Sequence, residues 1–233
     1  IIWAKNYKVP FSSNLKVFKD KIIVSNVNNN LLILNKRNGD LIKLIPTEEI
    51  SVKNNFSNKI SINSENELFF LNSFGSLYKI NINSLSIIWF NNFNKSLDTN
   101  SSNLFFGSNI ISTKKEVIFS SNKSTYIVDV ISGSVLKKYN FSSKVKPIII
   151  DKAAIFLTKN NFLIAINLNT KKIIYSYNLD TLDNYLKNKY LIMDMMLLNN
   201  EIFIFLKNNK ILVFQINGKF KTLKKLPSSL NTF

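Results

Sequence analysis

The chain has 233 residues, 31 Lys+Arg against 14 Asp+Glu, a formal net charge of +17, and neither His nor Cys. Without these two residue types there is no Ser-His-Asp or Cys-His nucleophile system, no zinc or haem site of ordinary ligands and no disulfide framework. A hydrophobic content of 45% with 12% aromatics is enough to build a core in one or two domains.

The basic charge is almost entirely lysine, because Arg37 is the single arginine. Lys, Asn, Ile and Phe, which A+T-rich codons specify, are abundant, whereas Ala, Gly, Pro and Arg are scarce. We therefore interpret the charge as base composition. Arg clusters, the preferred donors to phosphate and guanine, are absent from the sequence, and no nucleic-acid partner is predicted.

The sequence starts at Ile1 without a charged and apolar signal-peptide pattern, and its longest apolar runs are far shorter than a membrane span. We expect any targeting segment to lie outside this chain.

Hydrophobic periodicity is that of strands throughout: β-branched and aromatic runs of four to seven residues alternate with Asn, Ser, Lys and Gly. One repeat motif occurs five times. It is an apolar run, a polar residue four positions after the first, a Gly or small polar residue four positions further on, and a second apolar strand. The five copies begin at Leu31, Leu77, Thr125, Leu163 and Ile211.

Two more apolar runs precede each copy, so each unit holds four short strands joined by tight polar turns. Asn accepts positive φ nearly as well as Gly, so hairpins can form with few glycines. Four-stranded antiparallel units spaced by 40 to 50 residues predict an all-β fold, a β-propeller with five blades. The predicted blades are residues 12–45, 57–93, 103–141, 144–179 and 190–226.

The spacing Leu-aromatic-x-apolar-Asp-x-x-x-Gly-x-x-x-Trp resembles the propeller repeat of the pyrroloquinoline-quinone dehydrogenases, and residues 77–89 and 125–137 follow it best. The Trp of the repeat, here termed the closing residue, is present at Trp89 and, by inference, at Trp3. Lys43, Lys137 and Tyr175 replace it elsewhere, and its Gly is kept at Gly39, Gly133 and Gly218.

Dehydrogenases with this repeat carry acidic calcium ligands and often a vicinal disulfide, so a chain without Cys is more similar to the non-catalytic branch. That branch includes the propeller lipoprotein of the outer-membrane β-barrel assembly machinery. The resemblance implies no cofactor, protein partners from that machinery or unfolded β-barrel precursors, and a location on the periplasmic face of the outer membrane. It also implies a lipid anchor outside this chain.

The ends fit the same repeat. Residues 1–7 resemble the outer strand of a preceding blade, and residues 227–233 resemble the beginning of the inner strand of a following one. We therefore expect an incomplete arc of a seven- or eight-bladed ring.

Carboxylates are the remaining candidates for chemistry. We predict Glu48 and Glu49 to lie in a solvated loop, and Glu65 to flank a hairpin. Glu67, Glu116 and Glu201 recur at one repeat position, which indicates solubility at the start of a strand. Asp129 and its equivalents Asn35, Asn81 and Asn167 are predicted to cap turns. Asp194, in an apolar inner strand, is interpreted as a buried paired group or an outward-facing one, with a ligand-binding role as the alternative.

The aromatic residues at strand spacing are predicted to form the core between blades rather than a nucleic-acid platform: Phe69, Phe70, Phe105, Phe106, Phe119, Phe156, Phe203 and Phe205. Two polar insertions, residues 91–102 and 178–189, are candidate binding loops. In the second, Asp180 is a possible N-cap for a short amphipathic turn with Leu179, Leu182 and Leu186 on one face.

The prediction is a non-enzymatic protein-binding scaffold, with catalytic, metal and cofactor residues all absent. The alternative is a quinoprotein-type ligand binder or dehydrogenase whose calcium and quinone site lies in blades outside this chain. A third class, a propeller that binds polyanions, predicts affinity that falls steeply with salt.

Overall fold

The structure, a computed structural model, describes residues 2–48, 57–94, 105, 107–182 and 191–226. Twenty strands form five antiparallel sheets, each built from four consecutive strands paired in sequence order. The chain divides into two compact units, residues 1–140 with three of these blades and residues 141–233 with two.

The first unit contains blades 1 to 3. Blade 1 is β1 (Lys16–Phe18), β2 (Lys21–Ser25), β3 (Leu31–Asn35) and β4 (Leu41–Ile45). Blade 2 is β5 (Lys59–Ile62), β6 (Glu67–Leu71), β7 (Ser76–Asn81) and β8 (Ser86–Asn92). Blade 3 is β9 (Ile111–Ser112), β10 (Glu116–Ser120), β11 (Thr125–Asp129) and β12 (Val135–Tyr139).

The second unit contains blades 4 and 5. Blade 4 is β13 (Ile148–Ile150), β14 (Ala153–Leu157), β15 (Phe162–Asn167) and β16 (Ile173–Asn178). Blade 5 is β17 (Ile192–Leu198), β18 (Glu201–Leu206), β19 (Lys210–Gln215) and β20 (Phe220–Lys225). The predicted all-β fold, a propeller of four-stranded antiparallel blades with five blades present, is confirmed.

The two middle strands of each blade are the most buried, because both faces of a blade pack against other residues. In β6 and β7 nearly every side chain is buried, including those of successive residues. Fully buried strands are apolar without alternation, which is why these segments read as continuous apolar runs in the sequence.

Apolar clusters lie between neighbouring blades within each unit. One joins blades 1 and 2 through Ile23, Ile33 and Phe70, and a second joins blades 2 and 3 through Phe69 and Phe119. In the second unit a third cluster joins blades 4 and 5. The aromatic residues therefore serve the core, as predicted: Phe69, Phe70, Phe119 and Phe156 are fully buried, Phe105 is buried, and Phe203 and Phe205 are half-buried. Phe106 lies outside the described residues.

In blades 1, 4 and 5 the tight turn between the second and third strands uses asparagine at positive φ, as predicted. Asn29, Asn161 and Asn209 have φ between 59° and 70°, and Gly75 takes this position in blade 2 with φ 82°. Asn bears this conformation at little cost because its short polar side chain bonds the local backbone.

The Gly position of the repeat has positive φ in all five blades, but the residue there is not always small. Gly39, Gly133 and Gly218 share it with Leu85 and Lys171, whose φ values are 56° and 58°. Blades 2 and 4 therefore make the same turn without the glycine of the repeat. The turn geometry is conserved between blades even where the residue type is not.

Residues 2–7 do not form a strand, although the sequence predicted the outer strand of a preceding blade. No described strand pairs with this segment, so side chains hold it against blade 1. Trp3 Nε1 donates to the Lys36 carbonyl at 2.9 Å, and the Tyr7 hydroxyl donates to the Gly39 carbonyl at 2.7 Å. Residues 227–233 lie outside the described residues, as do residues 183–190 and 95–104.

Candidate protein-binding surface

The outer strands β4, β8, β12 and β16 are the edges of their sheets and carry exposed apolar side chains. Each is paired on one side, with the third strand of its blade. The exposed fractions include 53% for Leu41, 52% for Ile88, 60% for Phe90 and 55% for Ile174. The full set is Leu41, Ile42, Leu44, Ile87, Ile88, Phe90, Val135, Leu136, Ile173 and Ile174.

The alternation of strand side chains explains how β8 serves two purposes. Trp89 points toward blade 3, where its Nε1 donates to the Val130 carbonyl at 3.1 Å. Its neighbours Ile88 and Phe90 lie on the opposite face, and the Phe90 ring stacks on Tyr78 with ring centroids 5.5 Å apart. The face of β8 that carries Ile88 and Phe90 is therefore apolar and exposed.

Blade 5 differs from the other four. Its outer strand β20 has the sequence Phe-Lys-Thr-Leu-Lys-Lys, and none of its large apolar side chains is among the exposed ones that the structure describes. Lysines also occur in β12, so the absence of exposed large apolar side chains is what distinguishes β20. The candidate binding edges are therefore the individual outer strands of blades 1 to 4, three in the first unit and one in the second.

Asp129 caps its turn as predicted. Its carboxylate accepts hydrogen bonds from the backbone N–H of Ile131 and Ser132 and from the Ser132 hydroxyl. The Ser132 bonds are the main reason that the pKa of Asp129 is lowered. The same Oδ1 acceptor role is filled by Asn35, Asn81 and Asn167 in blades 1, 2 and 4.

The recurring glutamates do not share one role, which contradicts the prediction of a common solubility function. Glu67 pairs with Lys79, whose side chain is only 8% exposed, with 2.6 Å between Oε1 and Nζ. Glu116 is itself buried, and Glu201 forms an ion pair with Lys221. Glu65 pairs with Lys114 across exposed surface at 2.7 Å.

Lys79 lies in the middle of β7, between blades 2 and 3. Its Nζ also donates to the Val130 carbonyl at 3.1 Å, the same oxygen that accepts from Trp89. A buried ammonium needs a carboxylate and further acceptors to offset the loss of water, and here it has both. The sequence pattern missed this residue, because a single Lys in a strand is typical of a solvent-facing position.

Glu48 is exposed as predicted, but its carboxylate is not free. It accepts from the Ser76 hydroxyl and from Asn72 Nδ2, and its backbone N–H donates to the Tyr78 hydroxyl at 3.3 Å. Burial raises the pKa of Tyr78 to about 12. Glu49 lies outside the described residues.

Asp194 is exposed, which agrees with the outward-facing alternative. It sits at a register shift in the pairing of β17 with β18, and its Oδ1 accepts from the N–H of Met195 at 2.8 Å. The bulge turns the carboxylate away from the apolar side chains Ile192 and Met195, which are buried.

The two predicted binding loops are described only in part. Leu179–Leu182 forms a 3₁₀ turn with Leu179 and Leu182 buried, as the apolar spacing indicated. Its cap is Asn178 rather than Asp180, because Asn178 Oδ1 accepts from the Asp180 N–H at 3.0 Å. Leu186 and residues 95–102 lie outside the described residues.

Among the residues that the structure describes, no three His, Cys, Asp or Glu side chains are grouped so that they could hold a metal ion. The same described ranges contain no helix long and apolar enough to cross a membrane.

Comparison with known proteins gives a likeness in fold alone. No protein-family model and no curated protein sequence matches the chain. Among solved structures, BamB from Moraxella catarrhalis is similar with a TM-score of 0.76 and 10% identity, over 98% of this chain and 68% of that one. The Cps50 (Swd1) β-propeller domain from Myceliophteria thermophila is similar with a TM-score of 0.64 and 10% identity, over 93% and 72%.

Proposed function

We propose that this chain is a protein-binding scaffold that holds extended segments of partner proteins against the outer strands of blades 1 to 4. The observation that carries the proposal is the presence of exposed apolar side chains on each of four sheet edges, of which Ile88 and Phe90 on β8 are the clearest pair. Single exposed apolar residues are ordinary, but their recurrence at the same strand of four blades is not.

An outer strand offers two kinds of interaction at once. Its unpaired edge can hydrogen-bond an added strand, and alternate apolar side chains such as Ile42 or Leu136 can pack against those of the partner. Because the blade is already ordered, binding orders little additional chain of the scaffold, and less of the interaction energy is lost to entropy.

The partner class that matches such edges is an extended segment with alternating apolar residues. Unfolded precursors of outer-membrane β-barrels have this pattern, in strands of about ten residues. The repeat's resemblance to the assembly-machinery lipoprotein and the likeness in fold to BamB support that partner class, together with components of the machinery itself. We place the scaffold on the periplasmic face of the outer membrane, held there by a lipid outside this chain.

A peptide titration tests the interface. The ligand is a fluorescent peptide of about ten residues that alternates apolar and polar side chains, and fluorescence anisotropy reports its binding. The test variant carries Ile42→Ser, Ile88→Ser, Leu136→Ser and Ile173→Ser, one substitution in each outer strand, and none of these residues lines the cavity between blades 4 and 5. We expect its affinity to fall at least about tenfold, since each site loses an apolar anchor.

The matched control changes four apolar residues away from the outer strands, three of them about as exposed as the test residues and Ile131 more so: Val17→Ser, Ile131→Ser, Leu191→Ser and Leu198→Ser. Its affinity should stay within about twofold of the original. Equal losses in both variants would mean non-specific adsorption, and unchanged binding in the first would mean that the outer strands are not the interface.

The cellular partner is tested by co-purification. Affinity-tagged protein with the original outer strands should retain outer-membrane assembly components after mild cross-linking, and the four-serine variant should lose them. Retention of the same components by both proteins would contradict the proposed interface.

A further inference from the structure

A cavity of about 350 Å³ lies between blades 4 and 5 within the second unit. Its walls are mainly apolar and include Ala153, Ile155, Ala165, Ile174 and Tyr175 of blade 4, with Ile216 from blade 5. Its volume falls at the lower end of the range for small-molecule sites, about 300–1,000 Å³. Propeller blades repeat, so the equivalent position in another blade shows what normally fills this space.

Blade 2 is used for this comparison, and its strand pairing shows which of its residues correspond to those of blade 4. Ala153 pairs with Asn167 as Glu67 pairs with Asn81. Ala165 pairs with Tyr175 as Lys79 pairs with Trp89, and each of these ladders has its register shift immediately afterwards.

The backbone carbonyl that accepts from Lys79 in blade 2, that of Val130, also has an equivalent here, the carbonyl of Ile216. Val130 and Ile216 each follow the third strand of the next blade, and each donates its N–H to a backbone carbonyl before that blade's second strand. The donor–acceptor distances are 2.9 Å for Val130 to Lys115 and 3.2 Å for Ile216 to Asn200.

In blade 2 this position is filled by the Lys79–Glu67 ion pair, and the Val130 carbonyl accepts from both Lys79 Nζ and Trp89 Nε1. In blade 4 alanines replace both members of the pair. The two side chains that would fill the space are shortened to methyl groups, so a cavity remains.

Two polar groups at the cavity lack, within the described residues, the partners that their equivalents have in blade 2. No described residue donates a hydrogen bond to the Ile216 carbonyl. The Tyr175 hydroxyl is buried and has no partner in the described part of the chain, whereas the equivalent Trp89 N–H is bonded. Buried polar groups normally have partners, so a cavity with an orphaned hydroxyl is incomplete without an occupant.

We propose that this cavity binds an aliphatic primary ammonium group, carried by a small amine or by a lysine side chain of a partner. The ammonium donates to the Ile216 carbonyl, as Lys79 Nζ does to Val130 in blade 2, and the alkyl stem lies along Ala153 and Ala165. Asp151, an exposed residue of the cavity wall, supplies the carboxylate in place of Glu67. Lys152, the next residue, also lines the cavity. Of the exposed apolar residues on the outer strands, Ile174 also lines this cavity.

The chain has four alanines, at positions 4, 153, 154 and 165, which makes a direct test possible. Protein labelled with ¹³C in the alanine methyl groups is titrated with n-butylammonium chloride, and with 1-butanol as the uncharged control of the same shape. We expect saturable shifts of the Ala153 and Ala165 methyl signals, with Ala4 unmoved, and an apparent affinity for the ammonium at least about tenfold higher than for the alcohol.

A lysine analogue blocked at both backbone ends distinguishes the sources of the ammonium. Tighter binding of the analogue than of butylammonium assigns the cavity to a partner lysine, and the reverse order assigns it to a small amine. Unmoved alanine signals with every amine, or equal shifts with butanol and butylammonium, would overturn the proposal.

Two variants give an independent check. Ala165→Lys supplies the ammonium from within the chain and should abolish the ligand-induced shift of Ala153. Lys79→Ala opens the equivalent space in blade 2, and butylammonium should then raise its melting temperature more than that of the unsubstituted protein. Persistence of the Ala153 shift in a folded Ala165→Lys variant would contradict the site, and the Lys79→Ala comparison covers the case in which that variant does not fold.

Discussion

The indole ring of Trp89 lies against Gly133 of the next blade, so closely that a Cβ built on the glycine would be 2.9 Å from the ring. Gly133 also has φ +72°, a conformation that L side chains rarely adopt. Trp3 lies over Gly39 and Tyr175 over Gly218 in the same manner. The closing residue of one blade thus requires glycine in the turn of the next.

We expect Gly133→Ala to lower the free energy of unfolding by about 2–3 kcal/mol, because it adds left-handed strain to a steric clash. Urea unfolding followed by circular dichroism measures the loss. In a Trp89→Ala background the clash is absent, so the same substitution should cost about 1–2 kcal/mol. Strictly additive losses would show that the ring does not exclude a side chain at Gly133.

The Lys79–Glu67 pair predicts unequal effects for its two members. Glu67→Ala leaves a buried ammonium with only the Val130 carbonyl, and we expect a loss of about 3–4 kcal/mol in the free energy of unfolding. Lys79→Met fills the space with an apolar chain and leaves Glu67, which is 25% exposed and still accepts from Asn63 Nδ2. Its cost should be smaller, about 1–2 kcal/mol. The reverse order in urea unfolding would contradict the burial of the lysine.

The Asp129 turn predicts a defined pH dependence. The folded-state pKa of Asp129 is lowered chiefly by the Ser132 N–H and hydroxyl, so its contribution to stability is complete above about pH 4, the unfolded value, and is lost as pH falls through the folded value. Asp129→Asn retains the acceptor, as Asn35 and Asn81 do, and should match the original protein at pH 7 while losing less stability at pH 2–3. Asp129→Ala should cost about 1–2 kcal/mol at pH 7.

Thermal unfolding at both pH values gives the comparison. Equal acid sensitivity of the original protein and the Asp129→Asn variant would show that the carboxylate's bonds do not distinguish the folded from the unfolded state.

Burial raises the pKa values of Tyr78, Tyr139 and Tyr175 to about 12 each. A raised tyrosine pKa means that the unfolded chain ionises first, so stability should fall as pH rises between about 10 and 12. Phenolate absorbance should therefore show a late phase, and Tyr175→Phe should remove about one tyrosine from it. Because the Tyr175 hydroxyl has no described partner, the same variant should also gain about 1 kcal/mol at pH 7. If Tyr175→Phe instead reduced the phenolate absorbance that develops near pH 10, the Tyr175 hydroxyl would not be buried.

The blades could be predicted from the sequence because each strand is a short apolar run and each turn carries Asn, Ser or Gly. The role of Asp129 could be predicted too, since the hydrogen bonds that cap a turn are made within three residues of it. Such features depend on neighbours along the chain, which a linear pattern contains.

Features that depend on registers and on neighbouring blades could not be predicted. The Lys79–Glu67 pair needs the pairing of β6 with β7, and the left-handed conformations of Leu85 and Lys171 become visible only once the turns of the repeat are superposed. The cavity had one signal that could have found it: three of the four alanines of this chain fall in β14 and β15.

The contact between a closing residue and the following turn also limits how blades can be exchanged. Trp3, Trp89 and Tyr175 each precede a blade with glycine at the turn, whereas Lys43 and Lys137 precede blades with Leu85 and Lys171 there. The two positions vary together although they belong to different sheets. A segment that could be duplicated or transplanted intact therefore starts at the outer strand of one blade and ends after the third strand of the next blade. Its boundaries are shifted by one strand from those of a blade.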